Sequence, residues 1–521
     1  MAYNTALYLF LFLPAVLIIY QLMPQKTRWA VLLLSGYIFF WLVSERLIVY
    51  IFGTTAFTYC IGRYIALQKQ RCSEEIKKSE NMKETKQKYK LREKRILLFG
   101  ITAVLAVLVY LKYYNFFVTS INMLFSKTDN AFALNTKSLL LPIGISFYTL
   151  QAIGYMVDVY WEKLDAKKHI GKVALFLCFF PQIMEGPISM YSQTAHSLIE
   201  GKSLTTENLS QGSIRIFWGL FKKVIIADRL YVFVHVIFEN FLNYSGIIIV
   251  VGTIAYTIQL YMEFSGCMDI VIGSGKLFGI NLPENFRQPF FSKSASEFWN
   301  RWHITLGDWF KTYIFYPMSV SKIVKKWNNF GKKHFNKYIT KLGISAICLF
   351  PVWLCNGLWH GARWSYIFYG MYYFVILLTG IAIEPMKGKI INAFRINENS
   401  IWWNTIRILK TWLIIFTGEM FFRANGLKAG MLMFKSIFTK FEMQKLNIGL
   451  DNADYIVIVA GCIIVAIVEI IKERNMLGER GIYTQCLPIR WALYYSLIFA
   501  VIIFGAYGVG YQQVDLIYAG F

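Results

Sequence analysis

The 521-residue sequence predicts an all-α polytopic membrane protein, and three observations lead there. Hydrophobic residues make up 56% of the chain and aromatic residues 17%, with a mean hydropathy of +0.45, far more apolar surface than a water-soluble core needs. Apolar runs recur along the chain, each long enough for a helix to cross a hydrocarbon core of about 30 Å. Such helices satisfy their own backbone groups, whereas a membrane barrel would show short segments of alternating polarity, and none is present.

Charge supports the same class. Fifty-four Lys and Arg against 30 Asp and Glu leave a formal charge of +24, and the excess sits in the loops between apolar runs. Loops of that kind orient spans in the bilayer and lie against anionic inner-leaflet lipid, so membrane lipid is the expected partner and nucleic acid is not. They would also attract a phosphate-bearing donor. The eight cysteines are scattered with no C-x-x-C pair, which points to neither a zinc site nor a disulfide framework.

Taken in order, residues 5–22 follow no basic segment and precede no small-residue cleavage site, so they read as a retained first span. Spans at about 29–44 and 47–65 lead into residues 69–95, where eleven Lys/Arg face five Glu in a helix-favouring exposed hairpin. The positive-inside rule assigns that hairpin to the cytoplasm, which places the amino terminus outside. Spans follow at about 96–118 and 138–158. Residues 179–187, Phe-Phe-Pro-Gln-Ile-Met-Glu-Gly-Pro, then break an apolar run with two prolines and a glycine, the pattern of a bend or re-entrant element sheltered by protein. Glu185 in that bend has two readings, a residue meeting water at the interface or a site residue.

Spans near 213–240 and 246–263 precede a second intramembrane charge, Asp269, and Gly273 and Gly275, which fit close helix packing better than a nucleotide loop. In the block 282–317, Ser294 with Glu297 matches a capping box. A helix is therefore expected to start there and end by Pro317, carrying Trp299 and His303 four residues apart and pairing Glu297 with Arg301. Its composition is too polar for lipid and too aromatic for a solvated loop, as in an interfacial or re-entrant helix lining a cavity. Seven lysines between 322 and 341 mark a further basic cytoplasmic loop over 321–341. Later spans are expected near 342–358, 364–384, 402–420, 453–471 and 490–510, with Glu419 and Arg423 as a polar interruption at a helix end. His169, His196, His235 and His334 have no evident partners.

The segment Trp353–Gly370 places a titratable ring, His360, inside an apolar stretch. Imidazole exchanges protons near neutral pH, and an ionisable group at membrane depth is a functional candidate; the alternative is a histidine hydrogen-bonded between packed helices. At helical spacing Arg363 and Trp364 share its face, while Gly357 and Gly361 leave room for a backbone or a substrate.

Several local patterns occur in order over nearly the whole chain: Leu141-Pro-Ile-Gly-Ile-Ser-Phe-Tyr-Thr-Leu150, Gly219-Leu-Phe-Lys-Lys-Val-Ile-Ile-Ala-Asp228, Phe298-Trp-Asn-Arg-Trp-His-Ile-Thr-Leu306, Leu358-Trp-His-Gly-Ala362 and Phe421-Phe-Arg-Ala424. Through them the sequence resembles the membrane-bound O-acyltransferase family, and within it the bacterial alginate O-acetyltransferase branch more than the D-alanyl branch. The resemblance implies about eleven spans, with re-entrant or interfacial helices, around a central funnel in one integral-membrane domain covering residues 1–521. It implies functional histidines at His303 and His360, acetyl-CoA as donor substrate with no bound cofactor, and a bacterial plasma-membrane location. It also implies an extracytoplasmic partner of the SGNH esterase-like type, working with polysaccharide-synthesis machinery.

Acyl transfer from a thioester to a hydroxyl needs a base at the alcohol and support for the carbonyl oxyanion. With no serine-triad order or G-x-S-x-G elbow, direct attack by the acceptor is the simpler route. His360 is the expected base and His303 the positioning group, walled by Asn300, Trp299, Trp302, Trp359 and Arg363. Two other readings stay open: a D-alanyl or peptidoglycan O-acyl transferase, and a transporter or flippase of an acylated intermediate. The absence of an internal repeat weighs against transport.

Overall fold

The computed structural model describes residues 1–125, 133–442, 450–476, 478, 481–507 and 511. Among them every regular element is a helix, and the one β-type pairing is an isolated bridge between Phe286 and Trp302. Seven helical stretches are long and apolar enough to cross a membrane: Gln25–Ile76, Met82–Phe125, Gly246–Leu277, Lys337–His360, Trp364–Ala393, Asn452–Glu473 and Leu487–Phe504. The first of these contains two helices, Arg28–Ser44 and Ile48–Ile76. Large apolar side chains point outward, Leu22 at 80% exposure and Trp402 at 78%, a surface that suits lipid. The protein is a multi-pass membrane protein.

The helices gather into two compact units. One comprises Met1–Ser213 with Val271–Pro283, the other Ile214–Ile270 with Glu284–Ile517.

In the first unit, helices Ile48–Ile76 and Met82–Phe125 run without interruption from apolar segments into the basic stretch, so the expected charged hairpin is the far end of two long helices. The span expected from residue 138 begins instead at Ile145. Pro142 and Gly144 hold the chain in a turn; Gly144 has φ +69°, and a Cβ there would sit 1.9 Å from the Ile183 carbonyl oxygen. That carbonyl belongs to the 179–187 bend, which is protein-sheltered as expected. The Tyr3 hydroxyl donates to Phe180 O at 2.8 Å, and the Gln182 amide donates to Pro187 O at 2.7 Å. Glu185 is 1% exposed, which removes the water-interface reading for it.

The second unit departs further from simple periodicity. The single span expected over 213–240 is one continuous helix over 206–239, with a π-helical turn, Phe221–Ala227, between Thr206–Leu220 and Asp228–Glu239. Buried charges accompany the wider turn. Lys223 pairs with Asp228 at 2.8 Å and Glu263 at 3.0 Å, and Arg229 pairs with Asp454 at 2.9 Å and donates to Phe504 O at 2.6 Å. A wider helical turn aims adjacent lysines at separate partners, and π-turns concentrate at such places.

The basic loop expected over 321–341 is mostly helix, Lys322–His334, whose N-cap Ser321 accepts from Val324 N. A second cap, Asn336, starts the next helix at Lys337. The expected span 490–510 is the helix Leu487–Phe504; residues 508–510 lie outside the described residues.

Candidate active site

His360 is the last residue of helix Lys337–His360. Gly361 is extended, and helix Trp364–Ala393 starts three residues later. The two helices touch at backbone distance: a Cβ on Gly357 would lie 2.4 Å from Tyr366 O, and one on Gly370 would lie 2.2 Å from Trp353 O. No residue with a side chain fits either position without moving a backbone. The close approach tucks the helix end inward and leaves His360 5% exposed. Its ring meets the edges of Trp359, Phe422 and Tyr369, at centroid distances of 5.1, 5.0 and 5.9 Å. Beyond Tyr369 stands a buried carboxyl group: the Tyr369 hydroxyl donates to Glu419 Oε1 at 3.0 Å, and Glu419 is 1% exposed.

His303 is reached by another route. The helix expected from Ser294 to Pro317 starts where the cap predicts, with Ser294 Oγ accepting from Glu297 N at 3.1 Å, but it stops at Trp299. A second helix runs from Ile304 through a π-turn, Lys311–Phe315, to Ser319, so Pro317 lies two residues before that helix ends. Between them His303 has φ +49° and ψ +48°, a left-handed conformation that non-glycine residues adopt only when their surroundings enforce it.

The enforcing contacts come from residues 285–287. Ile304 N donates to Asn285 O at 3.0 Å and Arg287 N to Arg301 O at 2.9 Å, the ladder that makes the Phe286–Trp302 bridge. This break overturns the expected one-face alignment of Trp299 and His303. The Glu297–Arg301 pair does form, at 2.8 Å, and Arg301 also reaches Glu473 at 2.7 Å.

The His303 ring is 3% exposed, edge-on to Phe264 at 4.9 Å and to Trp359 at 5.4 Å. Burial pulls its imidazole well below the usual histidine range, which keeps it neutral and able to accept a proton. Trp359 therefore touches both candidate histidines.

The remaining expected residues divide. Trp299 packs against Trp353, Tyr373 and Tyr369, at 5.0, 4.8 and 6.3 Å, which brings it to the wall behind His360. Its indole nitrogen is buried with no hydrogen-bond partner among the described residues. Trp302 is stacked on Phe298 at 5.4 Å, next to His303 in sequence. Asn300 and Arg363 are exposed at the two helix breaks, outside the ring cluster. Helical spacing predicts Arg363 beside His360, and the break at 361–363 removes that spacing. Asp269, the second intramembrane charge, pairs with Arg215 at 3.0 Å and Lys222 at 2.5 Å, and Arg215 also grips Glu284. These groups line a cavity of about 50 Å³ together with Asn285. Among the described residues no three His, Cys, Asp or Glu side chains are placed to hold a metal ion.

Of the unassigned histidines, His169 caps helix Ile170–Cys178 by accepting from Gly171 N, and His196 sits 3.5 Å from Glu200. His235 stacks on Tyr231 and His334 packs against Phe330. Periodicity missed Asn285, Tyr369 and Phe422. For Asn285 the one available signal is its place in Leu282-Pro-Glu-Asn-Phe286.

In this multi-pass helical protein two buried imidazoles, His303 and His360, meet one indole, Trp359. Residues 166–331, which include His303, match the membrane-bound O-acyltransferase (MBOAT) family. The chain is 32% identical to the probable alginate O-acetylase AlgI of Pseudomonas putida over 453 residues, covering 86% of this chain and 82% of the relative. It is 28% identical to the peptidoglycan O-acetyltransferase of Helicobacter pylori, covering 84% and 79%. It is also 28% identical to the teichoic acid D-alanyltransferase of Bacillus subtilis, over 54% of this chain and 69% of that one. The chain belongs to the membrane-bound O-acyltransferase family and is an acyltransferase.

Proposed function

We propose that this acyltransferase moves an acetyl group from acetyl-CoA on the cytoplasmic side of a bacterial plasma membrane for O-acetylation of an extracytoplasmic polysaccharide. The observation that carries the reading is the contact of His303 and His360 with the same buried indole, Trp359. In this reading His360 takes the proton of the acceptor hydroxyl as the oxygen attacks the thioester carbonyl. The C–S bond breaks, and the departing sulfur takes the proton back from the imidazolium. The apolar wall of Trp359, Phe422 and Tyr369 keeps water from competing for the thioester. His303 positions one of the two substrates, with Trp299 and Trp302 as supporting walls.

An acetyl group is favoured over D-alanyl because the alginate and peptidoglycan relatives align over 86% and 84% of this chain and the D-alanyl relative over 54%. In this reading the amino terminus lies outside, and an extracytoplasmic SGNH-type protein is the proposed carrier of acetyl groups to the polymer, alongside the polysaccharide-synthesis machinery. The test uses proteoliposomes with acetyl-labelled acetyl-CoA supplied on one side. Label recovered covalently on an acceptor across the bilayer supports the reading. Label that crosses only as intact donor, or stays on the supplied side, contradicts it and favours transport or a different donor.

A further inference from the structure

We infer that Asn285 is a positioning residue that fixes the His303 ring as its Nδ1–H tautomer, so that Nε2 carries the lone pair and the substrate group His303 meets is a hydrogen-bond donor. The inference rests on the reading that His303 belongs to the site, and it deepens that reading by giving the ring a direction.

Thr305 N is a backbone N–H and can only donate; it lies 3.1 Å from the Asn285 side-chain amide. The atom facing it must therefore be Oδ1, which settles which way the amide points. Thr305 Oγ1 donates to the same oxygen at 2.9 Å. On the other side of the amide, Nδ2 lies 3.3 Å from the Met268 sulfur, a weak acceptor. His303 Nδ1 is 3.3 Å from Oδ1. An amide oxygen cannot donate, so a hydrogen bond there requires the proton on Nδ1, and a neutral imidazole then has its acceptor at Nε2.

The support is rigid. Asn285 is 1% exposed, its own carbonyl takes Ile304 N, and the bridge of Phe286 to Trp302 binds the same two strands of chain. The left-handed backbone at His303 is the cost of turning the ring toward Oδ1. A hydroxyl of an acceptor or an amide N–H of a thioester donor fits the Nε2 acceptor; a carbonyl or phosphate oxygen does not.

The test reads the tautomer directly, by imidazole nitrogen NMR of the full-length protein labelled at histidine, with the His303 signals assigned by their loss in His303→Ala. The expected spectrum shows a protonated Nδ1 and an unprotonated Nε2; the reverse pattern overturns the inference. Kinetics supply the second arm. Asn285→Ala should lower kcat about 10- to 100-fold, with Asn285→Asp restoring most of it because a carboxylate still accepts from Nδ1.

The same carboxylate should move the acid limb of the pH profile upward, since it stabilises the imidazolium. Arg215, Lys222, Asp269, Glu284, Glu469 and Lys472, which line the cavity behind Asn285, are unchanged in both variants. Thr305→Val removes the hydroxyl bond to Oδ1 and leaves both the backbone Thr305 N–H bond and the ring contact; equal losses in Thr305→Val and Asn285→Ala would show that anchoring of the amide, not its bond to the ring, is at stake and overturn the inference. If His303→Ala keeps full transfer, the site reading itself has failed. A His303→Ala defect accompanied by an Nε2–H tautomer sinks this inference alone.

Discussion

The two histidines are buried alike and touch the same indole, yet they are held in opposite ways. His360 ends a 24-residue helix, and its place follows from that helix meeting its sequence neighbour at Gly357 and Gly370. His303 sits in a break between two short helices, and a side chain 18 positions earlier, Asn285, secures it. One ring is placed by helix packing and the other by hydrogen bonds to a separate strand of chain. The packing arrangement presents a ring firmly, while the hydrogen-bonded one also chooses which nitrogen carries the proton.

The contrast can be tested by removing each side of it. His360→Ala should produce the largest loss, about 100- to 10,000-fold in the rate of acyl transfer, the range expected for a general base. His303→Ala should cost less, about 10- to 100-fold, since a positioning group leaves the proton transfer in place; steady-state kinetics with labelled acetyl-CoA measure both. A larger loss at 303 than at 360 would exchange the two roles.

Tyr369→Phe removes the hydroxyl that reaches Glu419 and leaves a buried carboxyl group without that bond. About 1–3 kcal/mol of stability should be lost, seen as a lower Tm in detergent, with a smaller fall in rate than at either histidine. Arg363→Ala should be the mildest, within about twofold of wild type, because the side chain is exposed at the helix break. A strong effect there would mean that Arg363 turns inward when substrate binds.

The difference between the two supports also explains what could be read without the structure. The membrane class, the basic hairpin, the Ser294 cap and the closeness of backbones at Gly357 follow from composition and local spacing, and all of them appear in the structure. Arg363 beside His360 and Trp299 in register with His303 were inferred from helical periodicity, and both inferences fail where the helix stops. Each stop depends on contacts with other parts of the chain, Gly370 against Trp353 in one case and Asn285 against Ile304 and Thr305 in the other. Helical spacing carries no signal for either. The buried ion pairs at the π-turn within 206–239 are of the same kind, since Glu263 and Asp454 are distant in sequence from Lys223 and Arg229.

The most direct measurement is single-turnover acetyl transfer by His360→Ala in proteoliposomes, alongside its thermal unfolding and its insertion into the bilayer. Transfer slowed by about 100-fold or more in a variant that folds and inserts normally is the expected result. Transfer at the wild-type rate by that same folded variant would contradict a proton-accepting role for His360.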